Sequence, residues 1–336
     1  NQLLFMMLYV IPLAGVEKSI KTACFVVAII GAYVLYNFAH PKKISWLMSL
    51  VDDHHRGDFT ADKEIFSAIL GIGFTFGMGA VVDHFAEQGQ IRLAFAICGG
   101  VIFLLMVLHS VTMLLTVEKE QPKSDKKTFG ESVKLLLKNK KIIYVAVVFA
   151  LYYISTYLSV PFYGTYQIGE LGLSLKYVSA ITVSGIVTRI LASKLWGRYA
   201  DRTSFASMIE KGLLVLALAQ LCVVFATPQT GKVMFLLYYL IYGVGVAGIN
   251  SALINMVFDY ATPDQRSDSL AIVQAVMGLA GFLATLCISP LVSHIQENGN
   301  VLFGLSVYAQ QVITILSVLV SVSASFFVHF VIKKSR

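Results

Sequence analysis

Charged residues are scarce in this 336-residue chain. Asp, Glu, Lys and Arg together make up 13% of it, whereas a soluble globular domain carries about a quarter. Hydrophobic residues make up 57%, and several long stretches carry no charge at all. A helix on the surface of a soluble protein needs a polar face toward water. The composition therefore excludes an ordinary water-soluble domain.

Cysteine is also rare, and its placement argues against metal and disulfide motifs. Cys24, Cys98, Cys222 and Cys287 lie far apart in or beside apolar runs, without the close spacing of a zinc site. We interpret them as small buried apolar residues. No catalytic cluster is visible at the end of an apolar run. We therefore expect no metal, no other cofactor and no enzyme activity.

Long uncharged runs dominate what is present. Most reach the ~20 residues that a helix needs to cross a bilayer, and only helices satisfy their own backbone in lipid as open segments. A tenth run, 177–197, is interrupted by Arg189 and Lys194. The ten candidate spans are 177–197 together with 1–16, 22–41, 65–82, 93–117, 142–169, 212–231, 233–258, 269–293 and 298–332.

Most of the 26 Lys and Arg residues lie in alternate loops. This pattern differs from a nucleic-acid-binding patch, and the positive-inside rule places the basic loops in the cytoplasm. Both visible chain ends fall on that side, and we expect no nucleic-acid partner. The basic segments are 42–64, 117–141, 197–212, 258–268 and 333–336.

Three short motifs lie in loops on this same side. Gly197-x-x-x-Asp201-Arg202 ends the interrupted run, while Arg56-Gly57 and Arg266 each precede a new run. The similar settings of Arg56 and Arg266 indicate a weak internal repeat, as in transporters built from two related bundles. The first motif resembles the loop signature of the major facilitator superfamily, a class of twelve-helix secondary transporters.

The resemblance implies an all-α polytopic membrane protein with two pseudo-symmetric helix bundles. Counting spans from Gly197 gives about ten of the twelve transmembrane helices, so that the family's first two helices are missing. Residues 1–117 would then form an N-terminal bundle with the family's helices 3–6. Residues 118–141 would be a cytoplasmic central linker, and 142–336 the C-terminal bundle with helices 7–12.

The function that the resemblance implies is secondary transport of a small solute by alternating access. Two alternatives stay open, a membrane-embedded transferase and a non-transporting receptor or regulatory protein. The implied partners are a small-molecule substrate, a coupling ion (proton or sodium) and the lipid bilayer. We expect a monomer that spans the bacterial plasma membrane several times.

The loop motifs imply a gate formed by Gly197, Asp201, Arg202, Arg56, Gly57 and Arg266. In this interpretation the Asp201 carboxylate meets the N-terminus of the family's helix 11 and a nearby Arg, and Gly197 lets helices 8 and 11 approach closely. The alternative is that Asp201 only caps the next helix and interacts with its dipole.

Polar residues inside the spans are candidates for the substrate pathway. Arg189 is the one basic residue near a span centre, where a cation is costly unless it is paired or hydrated. No Asp or Glu occurs at mid-span; all nineteen lie in loops or at span ends. The alternative for the uncharged candidates is hydrogen bonding between helices. Besides Arg189, the candidates are Asn37, Tyr152, Tyr153, Thr156, Tyr242, Asn250, Asn255, Gln274 and Gln310.

A glycine-rich segment, Gly243-Val-Gly245-Val-Ala-Gly248, matches the dinucleotide-binding pattern. That motif requires a preceding strand and a following helix N-terminus, but the segment lies inside an uncharged run. We interpret it as a surface for close helix packing.

Overall fold

A computed structural model describes residues 2–52, 55–116, 139–263, 265–302 and 304–333, and nearly all of them are helical. Two short strands, β1 (Val301–Leu302) and β2 (Leu305–Ser306), pair antiparallel. Turns of 3₁₀- or π-helix cover Ile11–Leu13, Tyr166–Glu170 and Val328–Ile332. The α-helices are α1 (Gln2–Val10), α2 (Lys18–Ser49), α3 (Arg56–Glu87), α4 (Ile91–Leu115), α5 (Lys140–Tyr157), α6 (Val160–Thr165), α7 (Leu175–Arg202), α8 (Phe205–Val224), α9 (Gly231–Tyr260), α10 (Arg266–Glu297) and α11 (Ala309–Phe327).

Nine helical segments in the described part of the chain are long and apolar enough to cross a membrane. The first predicted span instead holds a shorter apolar helix, Gln2–Leu13. Large apolar side chains such as Leu114 and Leu115 are 85% and 76% exposed, as expected for surfaces that lipid covers. The prediction of an all-α polytopic membrane protein is confirmed.

Several boundaries differ from the prediction. The predicted span 65–82 is only the interior of α3, which begins at Arg56. The run 142–169 is divided where α5 ends at Tyr157 and α6 begins. Pro161, in the first turn of α6, has no backbone N–H to donate, and the Thr285 hydroxyl donates to the Tyr157 carbonyl at 2.8 Å.

The contacts divide the chain into two compact units. One comprises Asn1–Leu50 and Ile69–Pro122, and the other Val51–Ala68 and Lys123–Arg336. The first turns of α3 thus pack with the C-terminal part of the chain. The division into bundles 1–117 and 142–336 stays a prediction. Most of the predicted linker 118–141, up to residue 138, lies outside the described residues.

In the second unit, α9 packs mainly against α8 and α7, and its glycines make this possible. A Cβ on Gly248 would lie 2.9 Å from the Trp196 ring, and one on Gly245 would lie 3.1 Å from the backbone of α8. Gly243 lies directly against Gly185 and Thr188 of α7. The interpretation of this segment as a close-packing surface is confirmed.

Gly243→Ala is expected to destabilise the protein, because the added methyl meets the α7 backbone. Overpacking of this kind costs about 1–3 kcal/mol. Gly278→Ala is a matched control, since a Cβ there has no atom within 4 Å. Thermal unfolding in detergent should show a lower midpoint for Gly243→Ala than for Gly278→Ala. Equal midpoints would contradict the assigned contact.

Candidate functional site

The N-terminus of α3 lies against the C-terminal end of α7 at two glycines. A Cβ on Gly197 would lie 3.1 Å from the Gly57 carbonyl oxygen, and one on Gly57 would lie 3.0 Å from the carboxyl carbon of Asp201. Gly57 is the second residue of α3, so the Asp201 carboxylate lies at the positive end of that helix. The two glycines favour this close approach, because neither has a side chain between the backbones.

These contacts correct two predictions about the gate motif. Asp201 and Gly197 meet the start of α3, the family's fifth helix by our count, and not the N-terminus of helix 11. The reason is that the loop motif fixes the carboxylate but not the helix that packs beside it. The capping alternative is also wrong for α8, because α8 is capped by Ser204, whose hydroxyl accepts from the Ser207 N–H at 3.0 Å.

One turn further along α3, a buried polar cluster joins this helix to α9. The Thr60 and Ser251 hydroxyls are hydrogen-bonded at 2.9 Å, and Asn255 donates to the Thr60 hydroxyl at 3.3 Å. Thr60 is 3% exposed and Asn255 is fully buried. Asn255 was a pathway candidate, and the structure places it in this helix contact. Sequence analysis missed Thr60 because 42–64 was interpreted as a loop, and it did not select Ser251 among the polar residues of the span 233–258.

Two ion pairs continue the contact between α3 and α7. Arg189 pairs with Glu64, whose side chain is 16% exposed, and Lys194 pairs with Asp62 at 3.3 Å with both side chains more than half exposed. Glu64 is the ninth of the 32 residues of α3, so it lies toward the N-terminal end of that helix and not at mid-span, where no acidic residue is expected. Glu64 belongs to the apolar, membrane-length helix α3, where Arg189 of α7 balances its charge.

The two arginines of the internal repeat occupy equivalent local positions. Arg56 is the first residue of α3 and Arg266 the first residue of α10. Their guanidinium carbons lie 5.5 and 5.0 Å from the centre of the buried Phe258 ring, within cation–π range. Phe258, in the C-terminal turns of α9, thus contacts the first residue of both α3 and α10. Arg202 is exposed at the end of α7.

A cavity of about 340 Å³, here called the tyrosine cavity, lies between α5, α6 and α9. Four predicted pathway residues, Tyr152, Tyr153, Thr156 and Tyr242, line it, and the sequence missed Tyr157. Tyr157 stacks on Tyr153 at 5.3 Å between ring centres, and Tyr242 stacks on Tyr238 at 5.2 Å. Val160 and Pro161 complete the lining. The helical spacing from Tyr153 to Tyr157 was a signal that could have predicted the pair.

The remaining pathway candidates do not line this cavity in the described part of the chain. Asn250 and Gln274 are half-buried on α9 and α10. Gln310, at the start of α11, is fully buried, and its side-chain amide makes no hydrogen bond. The side chain of Asn37 lies outside the described residues.

Glu210, the sixth residue of α8, is a second acidic residue with basic partners. It is 6% exposed and holds two basic groups, His329 at 3.0 Å and Lys333 at 2.9 Å. The Ser325 hydroxyl also donates to its backbone carbonyl. These contacts tie the end of α11 to α8, away from the tyrosine cavity.

A comparison with protein families agrees with the membrane helices and the loop motif of residues 197–202. The model of the Major Facilitator Superfamily matches residues 3–285. The chain belongs to this superfamily. No curated protein matches it.

Solved structures of two transporters share the fold. The fucose:proton symporter FucP of E. coli is 14% identical in sequence, with a TM-score of 0.69. The match covers 97% of this chain and 82% of FucP. A bacterial homologue of the iron transporter ferroportin, in an outward-facing state, is 15% identical with a TM-score of 0.64 and the same coverages. At these identities the likeness shows the fold alone. The prediction of a secondary transporter of the superfamily is confirmed, and alternating access is typical of its fold.

Proposed function

We propose that the contact of α3 with α7 and α9 is the closed cytoplasmic gate of this transporter, and that the tyrosine cavity holds the solute. The observation that supports the gate is the set of mutual contacts at the start of α3. Gly57 lies against Gly197 and Asp201, while Thr60 is hydrogen-bonded to Ser251. A water-filled path cannot pass through backbones in such close contact.

Alternating access then requires these contacts to break and form again. The strength of the individual contacts suits such a switch. A carboxylate at a helix N-terminus contributes about 0.3–1 kcal/mol, and a neutral hydrogen bond about 0.5–1.5 kcal/mol. Such a gate is held by several weak contacts, so a modest difference in binding energy can open it. A transporter in an outward-facing state is closed on its cytoplasmic side. The outward-facing state of the ferroportin homologue therefore supports a closed cytoplasmic gate.

The charge pattern of the loops supports the cytoplasmic assignment of this end. We place the transporter as a monomer in the bacterial plasma membrane, which the bacterial origin of both structural neighbours supports. A coupling ion completes the proposal. The proton coupling of FucP favours a proton over sodium.

Asp201→Asn is expected to loosen the gate about two- to five-fold, because the helix N-terminus loses a charge worth about 0.3–1 kcal/mol. The reporter is Ser251→Cys, a 7%-exposed position, in a background without Cys24, Cys98, Cys222 and Cys287. A membrane-impermeant maleimide should label it faster in inside-out vesicles when Asp201 is replaced.

Thr203→Cys provides the matched control, since this residue is exposed at the end of α7. It should be labelled from the same side at the same rate with or without Asp201. An unchanged rate at position 251 would contradict the role of Asp201 in the gate. Labelling of position 203 only in right-side-out vesicles would contradict the cytoplasmic assignment.

A further inference from the structure

The tyrosine cavity presents flat aromatic faces to its occupant. The stacked pair Tyr153–Tyr157 lines it from α5, and Tyr242, which stacks on Tyr238, lines it from α9. Tyr152 meets Tyr153 edge to face at 5.6 Å. Offset or edge-to-face contacts between aromatic rings stabilise a complex beyond simple area burial. A volume of about 340 Å³ accommodates one or two fused rings.

The cavity also contains a polar group whose hydrogen bonding is incomplete. Thr156 is 8% exposed, and its hydroxyl interacts with Tyr152 without a hydrogen bond of normal geometry. A buried polar atom left unsatisfied costs about 1–3 kcal/mol, which a polar substituent on the occupant would recover. The described lining residues carry no ionised side chain.

The nearest charge comes from α7. Close packing at Gly185 and Gly243 brings α7 against α9 next to Tyr242 of the cavity wall, and Arg189 follows one turn after Gly185. The Arg189 side chain remains 32% exposed although it is paired with Glu64. A guanidinium binds a carboxylate through two parallel hydrogen bonds.

We propose that the solute is an aromatic carboxylate whose ring lies between the Tyr153–Tyr157 pair and Tyr242 and whose carboxylate replaces Glu64 on Arg189. This proposal rests on the assignment of the cavity as the solute site. The proposal gives a role to the ion pair between Arg189, beside the cavity, and Glu64 of α3. An occupant that takes Arg189 from Glu64 releases one of the contacts that hold the start of α3 against α7.

The test measures binding of three probes with the same ring system: 2-naphthoate, 2-naphthamide and 2-naphthylmethylamine. The full chain is placed in nanodiscs, and calorimetry is corrected with empty nanodiscs. The naphthoate should bind at least tenfold more tightly than the amide. Arg189→Gln should abolish this difference, and Glu64→Gln should strengthen naphthoate binding about three- to tenfold by removing its competitor.

Asp62→Asn is the control, because it removes an exposed carboxylate from the same helix and should leave all three affinities unchanged. Tightest binding of the amine, or equal binding of amide and naphthoate, would overturn the proposal. If the amide and amine bind and both lose affinity in Tyr242→Leu, the cavity stands as the solute site and only the carboxylate assignment fails. If no probe binds, the aromatic carboxylate is rejected, while the labelling of position 251 still decides the gate.

Discussion

Replacing Gly57 by leucine should open the gate and leave the reporter at position 251 unprotected. Even a single methyl group at Gly57 would lie 3.0 Å from the carboxyl carbon of Asp201, and a leucine side chain would separate α3 from α7. Overpacking of this size costs about 1–3 kcal/mol. A change of that size in a two-state equilibrium alters the populations by about five- to 150-fold.

The Ser251→Cys labelling rate measures this shift directly. Gly71→Leu is the matched control, since it makes the same change in the same helix at a position with no atom within 4 Å of a Cβ. Gly57→Ala should lie between the two, because it displaces the short Asp201 side chain without forcing the backbones apart. Equal protection in Gly57→Leu and Gly71→Leu would show that the start of α3 does not seal the gate.

The spans could be predicted because their signal is local. A run of about 20 apolar residues identifies a membrane helix whatever packs around it, and loop motifs can be counted from such runs. The start of α3 escaped this reasoning because Asp62 and Glu64 look like loop residues. Their charges are balanced by Lys194 and Arg189, which lie more than 120 residues away in the sequence.

The candidate site could be predicted only in part for a related reason. Helical periodicity shows which side chains share a face but not which helix lies opposite. Tyr152 and Tyr242 were both identified as pathway residues, and they meet at the cavity. Asn255 was selected by the same criterion, yet it faces Thr60 of α3. The loop motifs assigned Gly57 and Asp201 to one gate, but they did not indicate that these two residues touch.

The ion pair between Arg189 and Glu64 should show a strong energetic coupling. Arg189→Gln leaves a carboxylate that is 16% exposed without its partner. Loss of one member of a fully buried pair costs about 3–5 kcal/mol, and the partial exposure of Arg189 reduces our expectation to about 1–3 kcal/mol. Glu64→Arg should cost more, since it places two like charges together.

The exchange of both charges separates the pair from its surroundings. Arg189→Glu combined with Glu64→Arg should recover most of the thermal stability that either reversal alone removes, giving a coupling of at least about 1 kcal/mol in a double-mutant cycle. The exposed pair Lys194–Asp62 links the same two helices, and its exchange should change stability by less than about 0.5 kcal/mol. The recovered protein should protect position 251 again, yet it should not regain the preference for naphthoate, because its positive charge now lies on α3. Additive effects of the two reversals would mean that Arg189 and Glu64 act independently. Any link from the cavity to the gate would then have to pass through α9, which carries Tyr242.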